Sequence, residues 1–178
     1  MTTALLIIDV QSALCSGEWA AYDIERVVDR INVVSAKARA AGAPVIVVQH
    51  EDDGLLRRGS EAWSLYGKLL VKDSDVRLRK TATDSFHKTE LKDVLDRLGV
   101  TDLVVCGLQT DFCVDTTVRR ALSLGYPTQL VADGHSTLDN GVLKAPQIIA
   151  HHTLTLRNID SFGPRVTTPL AEAVRLAA

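Results

Sequence analysis

Leu103-Val104-Val105-Cys106-Gly107-Leu108-Gln109-Thr110-Asp111-Phe112-Cys113-Val114 runs from an apolar, β-branched stretch through a short polar turn into Val114 to Leu124, where apolar residues recur at helical spacing. A period that changes in this way marks a strand feeding a helix. Cys113 stands where the helix opens. A thiol there meets backbone N–H groups without intrahelical partners and the positive end of the peptide dipoles, so the thiolate is favoured and oxyanion donors are at hand. The same position suits a free cysteine that packs as a small apolar residue.

Working outward, the same unit recurs along the chain. Strands are expected near Ala4 to Val10, Val45 to Gln49, Arg77 to Lys80, Asp102 to Gly107 and Thr128 to Ala132. A weaker sixth falls around Thr153 to Leu156 or Arg165 to Thr167. Between them, Ile24, Val27, Val28, Ile31 and Val34 share a helical face in a segment closed by Gly42 and Pro44. Leu91, Val94, Leu95 and Leu98 repeat the pattern before Gly99, and Val114, Val118, Ala121 and Leu122 repeat it before Gly125. Alternation of this kind predicts a parallel sheet with helices on both faces. Right-handed crossovers then bring the carboxyl ends of the strands to one edge, where ligands bind. His50 to Asp75 breaks the rhythm with charges, glycines and the large apolar residues Trp63 and Leu65. An excursion of this length reads as a lid or binding loop covering a pocket or a subunit contact.

With 178 residues, 46% of them hydrophobic, residues 1–178 are read as a single domain able to bury a sizeable core. A formal net charge of -2, with neither sign gathered into blocks, gives no footprint for nucleic acid or anionic lipid and leaves small molecules as the expected partners. No apolar run approaches membrane-spanning length, and the N-terminus lacks the basic flank of a signal peptide. Cys15, Cys106 and Cys113 are odd in number and have no C-x-x-C spacing, so neither a disulfide framework nor a thiolate metal site is indicated. A reducing cytoplasm is the expected compartment.

Asp9 closes the first strand and Lys80 closes the third, so three parallel strands deliver a carboxylate, an ammonium and a thiol to one edge. Lys80 would stabilise both anions, while Asp9 would take the thiol proton as the nucleophile attacks and return it to a leaving nitrogen. Taken singly, Asp9 reads better as a helix N-cap or strand-end turn and Lys80 as a solvated charge beside Arg77 and Arg79; their joint placement at strand ends is what favours a reaction centre. Gln11, Trp19, Trp63, Phe86 and Phe112 are candidate pocket residues, with ordinary core packing the alternative for each aromatic. His87 and His135 are placed near the pocket rim. Asp111 is expected to support the nucleophile loop, and Thr110 to cap the following helix through its hydroxyl.

Leu6-Ile7-Ile8-Asp9-Val10-Gln11, Arg79-Lys80-Thr81 through Ser85-Phe86, and Gly107-Leu108-Gln109-Thr110-Asp111-Phe112-Cys113-Val114 resemble the isochorismatase-like cysteine hydrolases in order and spacing. The resemblance implies a three-layer α/β/α sandwich around a six-stranded parallel sheet, with Asp9, Lys80 and Cys113 as the catalytic three. It implies a cis peptide at Leu108-Gln109, with the Gln109 and Cys113 N–H groups as oxyanion donors. A homo-oligomer, dimer or tetramer, is also implied. Isochorismatases proper, which cleave a vinyl ether, commonly lack the cysteine, so Cys113 points to C–N hydrolysis of a small amide, lactam or ureide through a thioester. Nicotinamidases in this group carry a metal held by an Asp and two His. Here the corresponding loop reads Gln49-His50-Glu51-Asp52-Asp53-Gly54, and no second histidine occurs before His87. No metal or other cofactor is therefore expected; His50, Glu51 and Asp53 are read as a solvated loop rather than a cation site.

Two alternatives stand beside the amidohydrolase reading: a vinyl ether hydrolase and a non-catalytic binding or assembly protein of the same fold. A dinucleotide-dependent oxidoreductase fits less well, because Gln11-Ser12-Ala13 stands where the glycine-rich phosphate loop should follow the first strand.

Overall fold

In a computed structural model, which describes residues 2–177, the chain folds into six strands and five α-helices. The order is β1 (Thr3–Ile8), α1 (Ser12–Cys15), α2 (Ile24–Ala40), β2 (Val45–His50), β3 (Val76–Lys80), α3 (Leu91–Arg97), β4 (Asp102–Leu108), α4 (Asp115–Ser123), β5 (Thr128–Ser136), α5 (Ala145–Arg157) and β6 (Val166–Thr167). All the strands pair parallel in the spatial order β3-β2-β1-β4-β5-β6. Of the two stretches offered for the sixth strand, 165–167 holds β6 and 153–156 lies inside α5, because the apolar run there belongs to a longer helical pattern.

Burial on both faces explains the near-continuous apolar strands. Ala4, Leu6 and Ile8 of β1 pack with Leu91, Val94 and Leu95 of α3, Val118 and Leu122 of α4 and Leu156 of α5. Leu5 and Ile7 point the other way, onto Val27, Val28, Ile31 and Val34 of α2 and onto Ala171 and Val174 near the C-terminus. One face thus carries three helices and the other α2, which is the predicted sandwich.

Two local features place the site. The strand order reverses between β1 and β4, opening the crevice in which open α/β sheets bind ligands. Gly107 makes that junction close: its φ is +117°, and a Cβ built there would lie 2.1 Å from the Ile8 carbonyl oxygen. Only glycine lets the end of β4 lie this tightly on β1.

Asp133-Gly134, a turn signal by composition, is part of β5. The pairing of β5 with β4 slips between Val105 and Gly107, so that Leu130 faces Val105 but His135 faces Gly107, and the extra residues form a bulge. The excursion from 50 to 75 crosses the sheet edge in turns and buries Leu56 and Leu69. Its far end is fastened by Arg39, whose Nε and Nη2 donate to the two Asp75 carboxylate oxygens at 3.0 and 2.6 Å.

Candidate active site

Asp9 follows the last residue of β1 and takes a left-handed backbone conformation, φ +52°, which aspartate tolerates better than most side chains. Its own N–H still donates to the Val48 carbonyl of β2. The sheet is released just beyond it, and the carboxylate lies almost wholly buried at the crevice. Lys80, the last residue of β3, lies two strands away from β1, and its side chain is entirely buried. Its Nζ reaches past β2 to Asp9 Oδ2 at 2.7 Å and to Cys113 Sγ at 3.1 Å. Cys113 sits in a π-helical turn, Thr110–Val114, that joins β4 to α4. The three groups expected at one edge meet there in contact.

A fourth group joins them. His50 Nδ1 and the Ala82 carbonyl oxygen each lie 3.1 Å from Lys80 Nζ. His50 ends β2, directly opposite Lys80 in the strand register. The sequence places His50 in a solvated loop with Glu51 and Asp53; the structure corrects this, because β2 runs one residue further and lies between the strands that carry Asp9 and Lys80.

Burial opposes the Lys80 charge, but Asp9, joined by Cys113 once its sulfur is ionised, outweighs it and holds the ammonium above its ordinary range. Burial, reinforced by the facing Asp9 carboxylate and only partly offset by Lys80, pushes the Cys113 thiol up to about 12. This corrects the expectation of a favoured thiolate: the dipole of a helix terminus is outweighed by the desolvation of a residue only 9% exposed. Asp9 Oδ1 is buried and, among the described residues, has no hydrogen-bond partner.

A cavity of about 480 Å³ opens over these groups, with Asp9, His50, Gln109 and Cys113 in its lining. Trp19 and Phe112, both about half exposed, stand in its wall with Leu14, Leu55, Leu56 and Leu138. Asp52, Asp111 and Asp139 complete its polar edge, and among the described residues no arginine contributes to the lining. Asp139 is paired with Lys144, whereas Asp52 and Asp111 have no basic partner among the described residues. Asp111 accepts a hydrogen bond from the Thr137 hydroxyl at 2.5 Å, which ties the turn carrying Cys113 to the segment after β5.

Three of the expected pocket residues lie outside the cavity. Gln11 is fully buried beneath it: its Nε2 donates to the His50 and Trp63 carbonyls at 2.9 and 2.8 Å, and its Oε1 accepts from the His50 N–H at 2.9 Å. Trp63 serves through that carbonyl and does not line the wall. Phe86 is turned inward and stacks on Tyr126, with ring centroids 6.3 Å apart. Of the two histidines placed at the rim, His87 is exposed and lines no part of the cavity. His135 is buried behind the nucleophile turn, where its Nδ1 meets the Thr110 hydroxyl at 2.8 Å and its Nε2 meets Thr153 at 3.1 Å. The Thr110 hydroxyl is therefore engaged by His135 and caps no helix. The Leu108-Gln109 peptide is cis.

Ligand atoms of Asp9, His50 and Cys113 lie within 4.8 Å of one another, a spacing that suits a metal ion. Lys80 Nζ contacts all three. An ammonium tethered among these donors fills the position a cation would take and repels a second charge, so the residues fit a caged lysine and not a metal centre.

The Isochorismatase domain model matches residues 3–168. The chain belongs to the isochorismatase family. It is 38% identical to a streptothricin hydrolase of Streptomyces noursei over 82% of this chain and 52% of that protein. It spans about half the length of the streptothricin hydrolases it matches. A ureidoacrylate amidohydrolase of Caulobacter vibrioides is 31% identical over 94% of this chain and 88% of its own length. Among solved structures, an isochorismatase family protein superposes with a TM-score of 0.86 at 40% identity, covering 93% of this chain and 96% of that one.

Proposed function

We propose that this isochorismatase-family protein is a thiol-dependent hydrolase of a C–N bond in a small amide, lactam or ureide. The observation that carries the reading is the contact of Lys80 Nζ with both Asp9 and Cys113 beside the unengaged Asp9 Oδ1. Cys113 Sγ attacks the carbonyl carbon while its proton passes to Asp9 Oδ1, and Lys80 holds the charge that develops on sulfur. The Gln109 and Cys113 N–H groups receive the oxyanion. Collapse breaks the C–N bond, and Asp9 hands its proton to the departing nitrogen. Water then attacks the thioester, giving a proton to Asp9; the acid leaves and that proton returns to sulfur. Relatives named as streptothricin hydrolase and ureidoacrylate amidohydrolase support the reaction class.

The cavity wall narrows the substrate. Its apolar side chains and its unpaired Asp52 and Asp111 favour a neutral or cationic molecule with an apolar part over a carboxylate. A free thiol is also required, which fits a reducing compartment; Cys15, Cys106 and Cys113 are all free. Release of ammonia or amine from matched neutral, cationic and anionic amides, by the wild type and by Cys113→Ala, tests the reading. Turnover of neutral or cationic members that disappears in the variant supports it. Turnover unaffected by Cys113→Ala, or confined to the anionic members, overturns it.

A further inference from the structure

His50 has no part in the three-residue scheme, yet it touches that scheme's cation. An ammonium only donates hydrogen bonds. A His50 Nδ1 lying 3.1 Å from Lys80 Nζ must therefore be an acceptor, and the imidazole must be neutral with its proton on Nε2. Its backbone is held as firmly as any in the site, since the buried Gln11 amide bonds both the His50 N–H and the His50 carbonyl. Lys80 thus has three hydrogens and four neighbours: Asp9 Oδ2, the Ala82 carbonyl, His50 Nδ1 and Cys113 Sγ.

We propose that His50 is a positioning residue for Lys80: as a neutral acceptor it holds the third hydrogen of the ammonium until Cys113 becomes anionic. The inference rests on the hydrolase reading for its role in turnover. With Asp9, Ala82 and His50 taking one hydrogen each, the resting ammonium is fully bonded although Cys113 is a thiol, a poor acceptor. When the sulfur proton moves to Asp9 Oδ1, the thiolate competes successfully with a neutral nitrogen for that hydrogen. The ammonium then turns in place without travelling, and no proton leaves it. Removing the imidazole leaves one N–H of a buried ammonium facing only a thiol, and the cation is drawn into a tighter pair with Asp9, away from sulfur. Protonating the imidazole does the same and sets a second positive charge beside the first. The charged or titratable groups around His50 are Lys80 on β3, Asp9 after β1, Asp52 in the loop after β2 and Cys113 in the π turn.

The test compares wild type, His50→Phe, which keeps a ring but offers no acceptor, and His50→Asn, which places a carbonyl oxygen near the Nδ1 position. The readout is the iodoacetamide alkylation rate of Cys113 at pH 7.5, followed by peptide mass spectrometry, which needs no substrate. His50→Phe should slow labelling about tenfold or more, and His50→Asn should stay within about threefold of wild type. Where an amide is turned over, kcat should follow the same order with little change in KM. The acid limb of the pH profile should also move to lower pH in His50→Asn. Labelling of His50→Phe at the wild-type rate, or equal impairment of the two variants, overturns the proposal. Should His50→Phe not fold, His50→Asn decides alone: near-normal labelling supports the proposal and a tenfold loss refutes it. Labelling as expected without turnover of any amide refutes the hydrolase reading and leaves the role of His50 standing.

Discussion

At the scale of single residues, the account makes Lys80 and Cys113 unequal in their structural cost. Cys113→Ala removes the proposed nucleophile but leaves the Lys80–Asp9 pair intact, so turnover should vanish while the melting temperature moves by no more than a few degrees. Lys80→Ala strands a buried carboxylate, so it should both abolish activity and destabilise the fold by roughly 3–5 kcal/mol in urea titration. Near-normal turnover in that variant would dismantle the catalytic scheme. His135 carries a separate, measurable pH effect. Burial holds its pKa at about 4, whereas an imidazole in the unfolded chain takes up a proton near 6.5. Between those values the unfolded state binds more protons, so stability is complete above the upper one and falls as pH is lowered, by about 2 kcal/mol at pH 5. Urea midpoints at pH 7 and pH 5 should show this loss in the wild type and a smaller one in His135→Asn. Asp9, Lys80 and Cys113 were legible in the sequence because each closes a strand or opens a helix, and position along an element survives without coordinates. Gln11, Trp63 and Phe86 were misplaced because the direction of a side chain in a turn depends on backbone angles that a sequence does not show.

At the scale of elements, the decisive contact is the one between the ends of β1 and β4. Gly107→Ala would drive a methyl group into the Ile8 backbone, and the positive φ gives it no relief. The variant should lose more than about 3 kcal/mol or fail to accumulate as folded protein, as read by circular dichroism and urea titration. An alanine variant of wild-type stability would mean that β4 does not lie as described. Strand periodicity and helix-ending glycines made the first five strands readable to within a few residues. The longer β5 was hidden because Asp133-Gly134 is a turn signal by composition, and only pairing with β4 reveals it as a bulge. The two-residue β6 has too little sequence to carry a pattern, so its position was divided between two candidates.

For the whole molecule, strand order turns a list of residues into a site. Because β1 lies between β2 and β4, Asp9 and Cys113 arrive on neighbouring strands, and Lys80 reaches them across the width of β2. His50 occupies the strand that Lys80 crosses, which is why alternation alone, silent on strand order, did not single it out. The apolar faces of the sheet were readable from composition. The 50–75 excursion was read as the cover of a pocket or of a subunit contact; Leu55 and Leu56 line the cavity, but which of its side chains do so was not legible. The homo-oligomer implied by the family resemblance is our expectation for the free protein; sedimentation velocity should show a species of at least dimer mass, and a monomer across the micromolar range would refute it. Among the described residues, no helix is long and apolar enough to cross a membrane. On this proposal Cys113 forms the covalent bond to the substrate. The most direct measurement is peptide mass spectrometry of protein quenched during turnover of an active amide: the account predicts an acyl group on Cys113 that is absent from Cys113→Ala, and an acyl group on Cys15 or Cys106 instead would contradict it.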